Sequence, residues 1–259
     1  MFTTSPDRRD SKVKSRAVGS SRGQAPTLQP LVCNSTGPRL LRLSAASGKN
    51  IQNWLCVLLV FVAGAASLAI EMAASRLLAP YFGSSLFVWA NLIGLILLYL
   101  TIGYYVGGRL ADHRPSPRTF YSITILAALL IGVIPLIAHP ILTWTLNIFI
   151  TGGDQPDPYG SFYASFVSVI LLFALPTILL GCVSPYAIRL SVDQLGRTGR
   201  VAGRLYATST AGSIVGTFVP VLILLPDIGT NFTFITSAAF LLLVSSFALI
   251  VNNFTAQKK

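Results

Sequence analysis

The sequence predicts an all-α, polytopic membrane protein of six transmembrane helices, with both chain ends on the cytoplasmic side. Three observations lead there. The 259 residues are 53% hydrophobic and 10% charged, whereas soluble chains carry about a quarter charged residues. Apolar runs long enough to cross a bilayer recur six times. The basic residues fall almost entirely to one side of those runs.

Between Asn50 and Gln257 only 14 charged residues occur, too few to cover a soluble fold, so the solvent of this stretch is largely lipid. Residues 1–50 are rich in Ser, Arg, Pro, Gly and Thr without apolar periodicity, and they read as a disordered basic tail. This tail has no secretory signal pattern. Its Ser and Arg content leaves a transit peptide open, with Asp7 and Asp10 counting against one.

The first span is expected over 51–72, since the 21 residues from Asn50 to Ile70 carry no charge and a ~30 Å hydrocarbon core needs about 20. Pro80 and Gly83 delay the second, expected over 86–108. The third is expected over 119–140, where His139-Pro140 marks a kink or stop before a short apolar piece. The fourth, 162–187, contains Pro176 and Pro185; the fifth and sixth cover 204–225 and 231–252, and 253–259 form a cytoplasmic end.

With the tail inside, all of the 19 basic residues except Arg76 lie on the cytoplasmic side. Glu71, Asp154, Asp157 and Asp227 fall opposite. An odd number of spans would destroy this split. The net charge of +11 is therefore read as topological charge facing an anionic inner leaflet, and no nucleic-acid partner is expected. Cys33, Cys56 and Cys182 fit neither a metal spacing nor a disulfide framework.

Ionisable groups at membrane depth are costly and become functional candidates. Glu71 and Arg76 stand in AIEMAASRLLAPYFGSS at the outer end of the first span. Five residues of helix separate them by about 140°, so they do not face each other. Either the helix breaks between them, or each finds a partner elsewhere, or Arg76 snorkels to the headgroups. In GYYVGGRLADHRPSPR, Gly108 and Asp112 form a G-x-x-x-D step in which glycine permits close helix contact. Asp112 there can cap a helix or pair with Arg109 or Arg114. In RVAGRLYATSTAGSIVGTFVP, Gly212 and Gly216 make a small-xxx-small pair, with Ser209 and Ser213 on one face. That face serves packing or lines a solute path. Pro176, Gly181 and Pro185 interrupt the fourth span before Arg189 and free backbone carbonyls, as a hinge, a ligand or a plain kink. His139 is a lone histidine. No Walker loop, metal-ligand cluster or dinucleotide fingerprint appears, so no metal or cofactor is expected.

Four segments in order, EMAASRLLAPYFGSS, VWANLIGLILLYLTIGYYVGGRLAD, LLGCVSPYAIRL and GRLYATSTAGSIVGT, resemble the membrane domain of fused spermidine synthase-like proteins. In those proteins major-facilitator-like helices join a polyamine aminopropyltransferase domain. The G-x-x-x-D loop is similar to the facilitator loop motif, although His113-Arg114-Pro115 replaces its usual ending. The resemblance covers residues 52–250 and implies a half-facilitator-like bundle. The synthase domain that would follow is not in this chain, so a stand-alone membrane half without aminopropyltransferase activity is expected.

The leading expectation is a plasma-membrane (cell inner membrane) component that transports a polyamine or another small solute. It would dimerise, or work beside a separately encoded synthase-like enzyme. Glu71 would attract a cationic solute, with Arg76, Tyr81, Asn91, Tyr104, Tyr206 and Ser209 as further binding or gating candidates. The alternative is a non-transporting anchor or scaffold for a cytoplasmic enzyme, docked on the basic tail and arginine-rich connections. An intramembrane enzyme is a third class, without a visible nucleophile-base pair. Protease digestion of sealed vesicles should find both chain ends on the same face; ends on opposite faces would overturn the six-span reading.

Overall fold

The computed structural model describes residues 39–150, 158–192 and 198–257, all helical apart from short connections. Helix α1 covers Arg39–Phe82, α2 Leu86–His113, α3 Pro117–Ile150, α4 Pro158–Ser191 and α5 Thr198–Val219. A π-helical turn at Pro220–Leu224 and the short α6, Leu225–Asp227, lead to α7, Gly229–Gln257. Six helical stretches are long and apolar enough to cross a membrane: Ile51–Phe82, Leu86–His113, Pro117–Phe149, Tyr159–Ser191, Thr198–Asp227 and Gly229–Phe254. The chain is thus a multi-pass helical membrane protein. Its exterior agrees, since large apolar side chains such as Leu86, Leu136 and Leu222 point outward along every span.

The punctuation is local. Gly83 adopts φ 75° and closes α1 with its N–H on the Ala79 carbonyl, 3.0 Å. Ser85 caps α2, accepting from the Val88 N–H at 3.4 Å. Pro115 follows the last turn of α2, and Pro117 opens α3 at the position where a missing N–H costs nothing. Gly229, at φ 81°, separates α6 from α7.

Three boundaries differ from the sequence expectation. Helix α1 starts at Arg39, within the stretch read as tail, and runs unbroken past Glu71 and Arg76 to Phe82. Its early residues, among them Leu40, Leu41, Ala45 and Ala46, favour helix. The rest of the expected tail, with Cys33, lies outside the described residues, as do Asp154, Asp157, Arg197, Lys258 and Lys259. Helix α3 does not stop at His139-Pro140 but continues to Ile150, with Pro135 and Pro140 inside its 34 residues. One lost ladder bond does not end a helix where no water competes for the backbone. Helix α4 likewise continues through Pro176 and Pro185. At Pro220 the ladder instead slips by one residue, so that the Leu225 N–H bonds the Pro220 carbonyl five positions back.

Helix α4 packs against α2 and α3, and α3 packs in turn against α7. Helices α2 and α4 run parallel. Asn91 reaches the Phe162 carbonyl and Ser165 near their starts, and Asp112 meets Arg189 near their ends. Between these links, a Cβ on Gly103 would stand 2.3 Å from the Ile178 carbonyl oxygen, and one on Gly107 2.5 Å from the Cys182 Cα. Helix α1 makes the second tight crossing, with α5. A Cβ on Gly212 would lie 2.0 Å from the Phe61 carbonyl oxygen, and one on Gly216 2.0 Å from that of Ala65. Gln52 bonds Asn252 at 3.3 Å, and Cys56 lies 3.8 Å from the Ser191 hydroxyl. The start of the first span therefore meets the ends of the fourth and sixth at one end of the bundle. Arg114, Arg118 and Arg189 collect at that end.

Gly216→Ala should lower stability by about 1–3 kcal/mol, because the backbone of α1 must move away from the new methyl group. Gly94→Ala meets nothing within 4 Å and should be neutral or slightly stabilising. Thermal unfolding in detergent compares the two, and equal melting temperatures would refute the α1–α5 contact.

Candidate functional site

The two glycine crossings bracket a pocket of about 90 Å³ between α1, α2, α4 and α5. Ser67 of α1, Tyr104 of α2, Ser184 of α4, and Ser209 and Ser213 of α5 supply its polar wall. Leu68, Leu100, Leu180 and Val183 supply apolar wall. The pocket follows from the crossings. Backbones that touch at Gly64 and at Gly103 hold their helices close there and leave space where the four surfaces curve apart.

The hydroxyls differ in what they already bond. Ser213 donates to the Gly64 carbonyl at 3.1 Å, pinning α5 to α1. Most other span hydroxyls turn back onto their own helix, as Thr101, Ser168, Thr210 and Ser245 do. Ser67, Ser184 and Ser209 make no side-chain hydrogen bond among the described residues. They therefore present both a donor and an acceptor to the pocket.

Of the residues singled out from sequence, Tyr104, Ser209 and Ser213 come together here. Tyr206 lies within electrostatic reach of Tyr104, and both rings are partly exposed. Glu71 is half-buried one helical turn beyond Ser67 on the same face of α1, outside the pocket wall, and Arg76 is exposed. Neither forms an ion pair among the described residues. Tyr81 packs edge-on against His139 of α3, with ring centroids 6.4 Å apart. Asn91 is buried and spends both amide N–H donors on α4, on the Phe162 carbonyl and on Ser165 Oγ, each at 2.9 Å. It is a lock between α2 and α4, away from the pocket.

The arginine-rich end also departs from expectation. Gly107 makes the close contact with α4, whereas Gly108 faces open space. Asp112 pairs with neither Arg109 nor Arg114 but with Arg189 of α4, at 3.2 Å. The parallel run of α2 and α4 brings those two side chains level. Arg109 instead lies over the Tyr105 ring, 4.3 Å from its centroid. Gly181 faces Gly103 across the same seam, Pro176 is buried, and Pro185 is half-buried. Cys182 donates to the Ile178 carbonyl of its own helix at 3.3 Å.

Sequence reasoning missed Gly64, Ser67, Ser184 and Tyr186. Ser184 sits within LLGCVSPYAIRL and Ser67 just before AIEMAASRLLAPYFGSS, but nothing in their spacing links two helices so far apart in the chain. Tyr186 is fully buried and stacks on Phe120 at 5.6 Å. Its hydroxyl donates to the Arg114 carbonyl and accepts from the Ser116 N–H at 3.3 Å. The α2–α3 connection is thus bound to α4 from below as well as by the Asp112–Arg189 pair.

Among the described residues no His, Cys, Asp and Glu cluster could hold a metal ion. Comparison with protein-family models, curated proteins and solved structures finds no match to the chain. Fold and site together define a helical, multi-pass membrane protein with a small hydroxyl-lined pocket inside its bundle.

Tyr186→Phe keeps the ring stack but removes both loop bonds, and should cost about 1–2 kcal/mol. Arg189→Gln breaks a pair whose side chains are 50% and 71% exposed and should cost about 0–1 kcal/mol. Unfolding in detergent ranks the two. A neutral Tyr186→Phe would mean that the hydroxyl does not hold the connection.

Proposed function

We propose that this chain is a transport component that takes a small polar solute into the pocket between α1, α2, α4 and α5 on its way across the plasma (cell inner) membrane. The observation that carries this reading is the convergence of Ser67, Ser184 and Ser209, none hydrogen-bonded through its side chain among the described residues, from three membrane-crossing helices onto one pocket. All three are half-buried, and a hydroxyl at membrane depth without a protein partner costs free energy unless something enters to bond it. In this reading both chain ends lie in the cytoplasm, which puts Arg114, Arg118 and Arg189 on the inner face.

A relation to the membrane half of spermidine synthase-like proteins rests on the four sequence segments alone. Taken further, it makes the six spans half of a facilitator-like path, completed by a second copy, and a polyamine the solute. Glu71, one turn from Ser67, would then supply the counter-charge. A scaffold role for a cytoplasmic synthase-like enzyme is favoured by one observation, the exposed arginines at 114, 118, 200 and 204 around one end.

Proteoliposomes offered glycerol, putrescine and spermidine should take up at least one of them faster than protein-free vesicles. Ser184→Leu, which fills the pocket, should abolish that flux. Wild-type flux in this variant would remove the pocket from the path, and unchanged spermidine flux in Glu71→Gln would remove Glu71.

A further inference from the structure

The chemistry of the pocket wall narrows the solute, on the reading that the pocket is the solute site. Each open hydroxyl, on Ser67, Ser184 and Ser209, can donate one hydrogen bond and accept others. Ser213 has given its proton to Gly64 and retains acceptor capacity. An ammonium group only donates and a carboxylate or phosphate only accepts, so either would leave half of this capacity unused. A ligand that does both would use all of it.

Charge points the same way. Among the described residues the pocket wall contains no acidic or basic side chain, and Tyr104 is the one titratable group there. Glu71 lies a turn further along α1, outside the wall. An ion entering here would give up its hydration with no opposite charge in the described wall to replace it. A neutral molecule gives up only hydrogen bonds to water, and the serines return those. The remaining wall, with Leu100, Leu180 and Val183 lining it, suits a short carbon skeleton.

Size completes the description. A space of about 90 Å³ is smaller than the ~150 Å³ cavity known to hold benzene, which points to a solute of about four to six heavy atoms. We infer that the pocket is selective for a small uncharged solute rich in hydroxyl or amide groups, of the size of glycerol or urea.

The test is stopped-flow light scattering of proteoliposomes holding the full chain, set against labelled putrescine and spermidine uptake by the same vesicles. Glycerol-driven reswelling should be several-fold faster than in protein-free vesicles, and neither amine should enter above background. Ser184→Leu should bring the glycerol rate back to background. The triple variant Ser67→Ala, Ser184→Ala, Ser209→Ala, which removes atoms without adding any, should slow it even if Ser184→Leu does not fold. Amine uptake without glycerol entry would overturn the neutral class and leave the pocket as the solute site. Entry of neither, or glycerol entry unaffected by the triple variant, would overturn the inference together with the pocket reading.

Discussion

The structure depends on one kind of contact, backbone against backbone at glycine. In a bilayer, apolar side chains gain little from leaving lipid for protein, so helices associate through close packing and hydrogen bonds. Gly212 and Gly216 let α5 lie on the carbonyls of Phe61 and Ala65, and Gly103 and Gly107 let α2 lie on α4. Hydrogen bonds then fix the register, Ser213 on Gly64 in the first crossing and Asn91 on α4 in the second. A methyl group at any of the four glycines would meet backbone, which cannot turn aside as a side chain can.

The pocket is a consequence of that arrangement. Helix α1 is tied to α5 and α2 to α4, and the space between the two pairs is walled by what each helix presents there. Three of those groups are serines whose hydroxyls have no partner among the described residues. In water this would be unremarked; at membrane depth a half-buried hydroxyl without a partner costs stability. Tyr99 shows the contrast, a buried tyrosine whose hydroxyl has no partner and which lines neither the pocket nor a crossing glycine.

The arginine-rich end is organised differently, through polar links across helices. The Tyr186 hydroxyl, the Asp112–Arg189 pair and the Gln52–Asn252 bond tie α1, α2, α4 and α7 together where water is near. These links do not compete with the glycine crossings. They hold the connection between α2 and α3 and the ends of the first and last spans while the crossings hold the middle.

Length, hydrophobicity and charge placement sufficed to predict six membrane-crossing helices, because each of these acts within one span. The glycines at 212 and 216 and the serines at 209 and 213 were legible as one face for the same reason: a helix repeats every few residues, and its own sequence shows that. Which helix meets that face was not legible. Asp112 had basic neighbours in its own loop yet pairs with Arg189, and Asn91 looked available for a solute yet is spent on α4. Prolines 140 and 185 read as interruptions but sit in continuous helices, since the surroundings decide whether a missing bond matters. The pocket joins residues from 63 to 213, and only packing brings them within reach. Periodicity is a property of one strand of sequence, whereas a site is a coincidence of several helices in space.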